Sequence, residues 1–242
     1  MQDADTVYII DAGNSFIKVA RVKNGLICSV LRCDFSELDQ LTSFVQNPEG
    51  LCAMSSVRSK ADTKKIAECL ENVKQIQMDT SSIIHNNYTS KSTLGIDRLC
   101  NAVYLKTNMT SAYAVAIDIG TCLKFDLVGR KEGYLGGAIS PGIDLRYKSL
   151  NDYTGKLPLL SNKSPLDFVG TDTETSIRSG VINGMNAEIN GIMEEYRLRY
   201  SDLTFFMTGG DAKNFDILAK NDIFADENLT LMGLYEIYQN NA

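Results

Sequence analysis

Val7-Tyr8-Ile9-Ile10-Asp11-Ala12-Gly13-Asn14-Ser15, followed at once by a second, mostly apolar run over residues 16–22, decides the fold because it happens twice. An apolar run of strand length ends in Asp-x-Gly-Asn, and a second run resumes immediately, which reads as strand, tight turn, strand. The same order returns as residues 112–117, Asp118-Ile119-Gly120-Thr121, and residues 122–128, the two aspartates standing 107 positions apart. Each half therefore reads as an α/β unit with a phosphate-type turn. No low-complexity segment or long linker separates the halves. The boundary is expected near residues 107–112, giving domains over 1–110 and 111–242.

Working outward, Asn24-Gly25 predicts a hairpin turn into a third strand at residues 26–31. Residues 36–46 carry Leu38, Leu41, Phe44 and Val45 at helical spacing, with Ser36 as the N-cap. Asn47-Pro48 closes that helix, since the residue before proline is pushed out of helical space. Residues 51–56 and 76–78 read as strands, and residues 62–70 and 98–106 as helices. In the second half, residues 134–139 follow a turn at Glu132-Gly133, and Pro141-Gly142 marks a stop. A long helix is expected over residues 174–200. Its Gly180, Gly184 and Gly191 each cost about 1 kcal/mol against Ala and suit close packing against a partner helix. A strand at residues 204–208 ends in Gly209-Gly210, where a nucleoside could lie flat on the backbone, and helices near residues 213–220 and 229–238 finish the chain.

The chemistry of the two turns follows from their residues. Glycine lets the backbone approach a ligand closely. The Asn or Thr beside it offers donors to phosphate oxygens. The strand-end Asp suits hydrated Mg²⁺, which takes one or two carboxylates plus phosphates. Two such turns facing one another across a cleft would clamp a triphosphate between domains. Between them lies Thr93-Leu94-Gly95-Ile96-Asp97-Arg98 at the start of a predicted helix. Asp97 reads either as a first-turn acid complementing the helix dipole or as a general base, with Arg98 beside it for an anionic substrate group.

Composition sets the bounds. The 242 residues are 44% hydrophobic and 22% charged, and a chain of this length buries roughly 70–75% of its unfolded surface without metal or disulfide staples. Lys+Arg 24 against Asp+Glu 30 leaves a net charge of −6, which argues against nucleic-acid and anionic-membrane surfaces. No apolar run reaches about 18 residues, and the acidic Met1-Gln2-Asp3-Ala4-Asp5 does not read as a secretory signal. Cys28, Cys33, Cys52, Cys69, Cys100 and Cys122 form no C-x-x-C pair and read as buried reduced thiols of a cytoplasmic protein. His85, the only histidine, reads as a loop residue without chemistry. The chain lacks the G-x-x-x-x-G-K-[ST], G-x-G-x-x-G, H-R-D and G-x-S-x-G signatures.

Residues 11–18, Gly95-Ile96-Asp97-Arg98, residues 118–126, residues 136–142, residues 173–180 and Thr208-Gly209-Gly210-Asp211 together resemble the type III pantothenate kinases, of the acetate and sugar kinase/Hsp70/actin superfamily. The order and spacing of these blocks over nearly the whole chain are far more specific than any one of them. The resemblance implies two ribonuclease H-like domains, an actin-like ATPase duplication with an interdomain nucleotide cleft. It implies ATP-dependent phosphorylation of pantothenate to 4'-phosphopantothenate, the first step of coenzyme A synthesis, in a cytoplasmic homodimer.

Roles follow by position. Asp11, Ala12, Gly13, Asn14, Ser15, Phe16, Ile17 and Lys18 match the first phosphate loop, and Thr121 an ATP contact. Asp97 matches the catalytic base. Gly95, Ile96, Asp97 and Arg98 match the pantothenate-binding stretch, and Tyr88, seven residues before Gly95, its aromatic contact. Asp118 matches the ligand of a monovalent cation (K⁺ or NH₄⁺), which joins ATP and Mg²⁺ as implied cofactors. Asp126 ends the second phosphate motif. Thr173 matches a substrate-contacting threonine supplied by the neighbouring subunit.

The chain departs from the family pattern at Ser15, where Thr is usual, and at Cys122 and Lys124, where small hydroxylated residues are usual. Strand alternation sets Lys124 on the same side as Cys122 and Asp126. Its ammonium either supplies charge near the phosphates, lowering the need for K⁺, or extends to solvent. The rival reading of the whole chain is a non-catalytic regulatory homologue that binds nucleotide or pantothenate.

Overall fold

The computed structural model describes residues 6–45, 51–70, 73–75, 79–161, 164, 167–215 and 223–241. In chain order the elements are β1 (Thr6–Ala12), β2 (Ile17–Lys23), β3 (Leu26–Cys33), α1 (Leu38–Phe44), β4 (Leu51–Ser56), α2 (Lys60–Glu68), β5 (Val73–Gln75) and α3 (Ile96–Asn108). There follow β6 (Tyr113–Ile119), β7 (Cys122–Gly129), β8 (Gly133–Pro141), α4 (Ile143–Asp152), α5 (Thr173–Arg199), β9 (Leu203–Thr208), β10 (Ile223–Ala225) and α6 (Leu229–Asn241).

The first sheet has the order β3-β2-β1-β4-β5 and the second β8-β7-β6-β9-β10. In both, the first three strands are antiparallel neighbours and the last two add in parallel. The repeat read in the two turns is thus a repeat of sheet topology, an α/β duplication. Each antiparallel hairpin is a local pairing, and β4, β5 and β9 each arrive after a helix, the kind of crossover that parallel pairing requires. At the β2–β3 turn, Asn24 and Gly25 both take positive φ (52° and 78°), the backbone that an Asn-Gly hairpin favours.

By contacts the chain divides into Met1–Asn108 with Asn228–Ala242, and Met109–Glu227. The final helix α6 therefore packs with the first unit, whereas the domain expected over 111–242 placed it in the second. The cause is a close helix crossing: a Cβ on Gly233 of α6 would fall 2.0 Å from the Cys100 carbonyl oxygen of α3. Thr230 donates to Asn101 Oδ1 (2.7 Å), and Thr107 and Asn108 both donate to Glu236, sealing the same contact. Burial of that carboxylate raises the Glu236 pKa.

The first core joins Tyr8, Ile10, Val19, Leu41, Met54 and Ile66. The second joins Val115, Ile117, Phe125, Tyr147, Met185 and Phe205. The long helix spans Thr173–Arg199, close to the expected 174–200, and its glycines 180, 184 and 191 meet nothing within 4 Å. Asp172 caps it, accepting from the Thr175 backbone N–H, and that bond holds its carboxyl below the usual range.

Several local expectations shift. Asp34, not Ser36, caps the first helical segment, because a 3₁₀ turn at Phe35–Glu37 precedes α1. Helix α4, which the sequence did not announce, starts directly after Gly142, where no side chain supplies a capping bond. The strand expected at residues 76–78 and the helix end at 216–220 lie outside the described residues, as do Asn47-Pro48. Among the described residues of the latter region, only a 3₁₀ turn, Ala212–Asn214, forms. Cys33, Cys52 and Cys100 are buried thiols, but Cys28 is exposed, since β3 turns alternate side chains outward. His85 is exposed. Among the described residues no helix is long and apolar enough to cross a membrane.

Candidate active site

In the first unit, Asp11 sits near the end of β1 beside the fully buried Ala12. Strand register places Lys18 of β2 on one side of Asp11 and Ser55 of β4 on the other. Ser55 is buried, and its hydroxyl donates to Asp11 Oδ1 at 3.3 Å. The sheet closes at Ala12–Ile17 around residues 13–16. Asn14, Ser15 and Phe16 are exposed there, while Ile17 is a core side chain, so Ala12 and Ile17 offer a ligand only their backbone. Arg32 stacks its guanidinium 3.8 Å over the Phe16 ring, steadying the outer side of the turn.

Asp97 lies in the first turn of α3, where a carboxylate also complements the helix dipole. A Cβ on Gly95 would come within 2.5 Å of Asp97 Oδ1. Gly95 is therefore the residue that leaves room for the carboxylate. One turn on, the Cys100 thiol is fully buried, and its pKa is raised first by burial, then by the negative charges of Asp11 and Asp97. Both aspartates thus lie near enough to this one buried thiol for their charges to act on it. Arg98 is buried and carries its guanidinium 5.7 Å from the Tyr88 ring centroid. Two residues expected to touch substrate are thereby mutually packed.

In the second unit, Asp118 is 8% exposed near the end of β6. Register places Lys124 of β7 on one side of it and Thr208 of β9 on the other, the same flanking pattern as Lys18 and Ser55 around Asp11. Lys124 Nζ lies 2.8 Å from Asp118 Oδ2, both side chains being largely buried. Neither a solvent-extended lysine nor an open carboxylate describes this pair.

The turn itself is hemmed by backbone. A Cβ on Gly142 would fall 2.1 Å from the Gly120 carbonyl, and one on Gly209 would fall 2.3 Å from the Ile119 carbonyl. Gly209 also takes φ +100°, a region L side chains rarely adopt. Thr121 is exposed at the tip. Asp126 is fully buried and accepts from the Tyr134 hydroxyl at 2.8 Å, a bond that braces β7 against β8. Thr173 begins α5 and lines an open groove of about 700 Å³ with Leu150, Leu157, Asp172, Ser176 and Gly180.

Ser55 escaped the sequence reading, and Thr208 was read there only as part of a motif, without a role. The available signal was their position: each is a hydroxyl at the end of an apolar strand that pairs with an Asp-bearing strand.

Among the described residues no three His, Cys, Asp or Glu side chains stand together as a metal cluster. Mg²⁺ carried on a triphosphate needs only one or two carboxylates, and the half-buried Asp11 fits that use. Asp118 fits a monovalent cation poorly, because its carboxylate already holds an ammonium. Two unit charges 4 Å apart repel by about 4 kcal/mol at an effective dielectric near 20.

A family model for type III pantothenate kinase matches residues 7–195. A type III pantothenate kinase from Flavobacterium johnsoniae is 35% identical over 237 residues, covering 96% of this chain and 97% of that one. This chain belongs to the type III pantothenate kinase family. Among solved structures, a Baf family protein from Campylobacter jejuni matches with a TM-score of 0.63 at 21% identity, covering 98% of each chain. The activator of 2-hydroxyisocaproyl-CoA dehydratase from Clostridium difficile, with bound ADPNP, matches at 0.52 and 12% identity, covering 97% and 95%. These likenesses carry the fold: an actin-like ATPase duplication of two ribonuclease H-like units, as this family member's two sheets already display.

Proposed function

We propose that this pantothenate kinase family member transfers the γ-phosphoryl group of ATP to the primary hydroxyl of pantothenate, releasing ADP and 4'-phosphopantothenate. The observation that carries the reading is Asp97 in the first turn of α3, with Gly95 leaving space for its carboxylate. Asp97 acts as general base, taking the hydroxyl proton as that oxygen attacks the γ-phosphorus in line. The transition state is loose, so positioning and charge neutralisation supply most of the rate.

Asn14 and Ser15 offer side-chain donors to phosphate oxygens. Ala12, Gly13, Phe16 and Ile17 offer backbone, with Lys18 adding positive charge. Ser55 holds Asp11 in place. Thr121 is a further ATP contact. Mg²⁺, bound with ATP, would neutralise charge on the phosphates, with Asp11 as its protein ligand. Tyr88, Gly95, Ile96 and Arg98 bind pantothenate. Arg98 supports the Tyr88 ring and supplies positive charge for an anionic substrate.

The working form in this proposal is a cytoplasmic homodimer, in which Thr173 serves the neighbouring subunit's substrate site. Its place at the start of α5, beside the open glycine face of that helix, supports this use. Retention of Asp11, Asp97, Asp118 and Asp126 favours an enzyme over a regulatory homologue. A coupled ADP-release assay with and without pantothenate tests the reading. Turnover only when pantothenate is present is the expected result, and ATP turnover indifferent to pantothenate would refute it.

A further inference from the structure

We infer that Lys124 is a built-in monovalent cation: its ammonium takes the place beside Asp118 that a K⁺ or NH₄⁺ ion would fill, so nucleotide binding does not depend on added K⁺. The inference rests on the ATP-binding role proposed above.

Three observations carry it. Asp118 is a buried carboxylate beside a Gly-Thr turn, and a triphosphate approaching an uncompensated carboxylate would be repelled. The structure compensates it internally, with Lys124 Nζ 2.8 Å from Asp118 Oδ2 and both side chains shielded from water. The geometry is also fixed by backbone, because Lys124 and Asp118 are directly opposite in the β6–β7 register. Thr208 stands on the other flank of Asp118. Core residues Leu123 and Phe125 occupy the other face of β7, so the lysine cannot change sides without disrupting the sheet. An ammonium at the end of a strand-anchored side chain carries the charge of the free ion and loses no translational freedom when nucleotide binds. A second cation at the same carboxylate would meet like charge.

The test uses the full-length protein at constant ionic strength of about 0.1 M, with choline chloride exchanged for KCl or NH₄Cl. ATP affinity is read by calorimetry, and rate by ADP release with pantothenate. Wild type should show the same ATP affinity and rate in every salt. Lys124→Thr should bind ATP about 10–100-fold more weakly in choline, the loss of one charge-assisted contact. It should recover in KCl or NH₄Cl, since the vacated space then admits the free ion. Lys124→Met, closer in volume, serves as the second variant if the threonine form melts early.

ATP binding by wild type that requires K⁺, or variants whose deficit K⁺ leaves unchanged, would overturn the inference. ATP binding without any pantothenate-dependent turnover would overturn the proposed substrate instead, while the calorimetric comparison still decides the role of Lys124. Failure to bind ATP in every salt would overturn both.

Discussion

At the end of β1 the sheet closes at Ala12–Ile17 around four residues, 13–16, three of them exposed. At the end of β6 it closes at Ile119–Leu123 around three, with Gly142 and Gly209 pressed on the turn's backbone. Both strands carry an aspartate flanked by a lysine and a hydroxyl side chain. In the first unit the hydroxyl of Ser55 is a direct partner of the aspartate, and the turn beyond is open. In the second, Lys124 is ion-paired to it, and the turn is enclosed. Identical topology therefore does not impose identical turns: turn length and the residues packed around the turn set how much of it is exposed. In the function proposed above, the first turn serves the phosphates and Asp97 the reacting hydroxyl, while the second turn holds charge in place.

The largest expected effect lies in the first unit. Asp97→Asn should lower kcat about 10²–10⁴-fold, the usual worth of a general base, with ATP affinity unchanged by calorimetry. A variant near wild-type kcat would remove Asp97 from that role. Gly95→Ala should also lower kcat while changing Tm little, because the new Cβ displaces the Asp97 carboxylate rather than any backbone.

The glycine pressed on the β6 strand end and the glycine of the open first turn should respond unequally to a methyl group. Gly209→Ala puts a Cβ against the Ile119 backbone at a positive φ and should cost about 2–4 kcal/mol in urea unfolding. Gly13→Ala meets only the Phe16 carbonyl at 3.1 Å and should cost about 1 kcal/mol or less. Equal losses would contradict the close packing of Gly209 on the end of β6.

A smaller effect is expected from Ser55→Ala. Loss of the bond to Asp11 should remove about 0.5–1.5 kcal/mol of stability and raise the KM for ATP.

The smallest effects concern thiols. Exposed Cys28 should be alkylated first in a mass-spectrometric time course, with Cys33, Cys52 and Cys100 labelled only on unfolding. Burial pushes Cys52 from an ordinary value of 9.0 up to about 11. In the unfolded chain that thiol loses its proton first, so its contribution is intact below pH 9.0 and fades as pH rises through about 11. Tm should fall across that window, and less steeply in Cys52→Ala.

The duplication was legible because a hairpin is a local event: Asn24-Gly25 and the two Asp-x-Gly turns carry their own geometry. Strand alternation also assigned Lys124 to the correct side of β7. Its partner was not legible, since that depends on the β6–β7 register, in which one residue of slip would move every side chain to the other face. The return of α6 to the first unit was invisible for a related reason. It is set by Gly233 against Cys100, a tertiary fit between helices more than a hundred residues apart. Helix α4 lacked a capping side chain at Gly142 to announce it. Ser55 and Thr208 acquire meaning only once parallel pairing sets them beside Asp11 and Asp118.

The most direct test of the central claim follows the phosphoryl group itself. ATP isotopically labelled in its γ-phosphate is incubated with the protein and pantothenate, and the products are resolved by mass spectrometry. The account predicts label in phosphorylated pantothenate, formed in equal amount with ADP and lost in Asp97→Asn. Label appearing as inorganic phosphate, with pantothenate left unmodified, would contradict it.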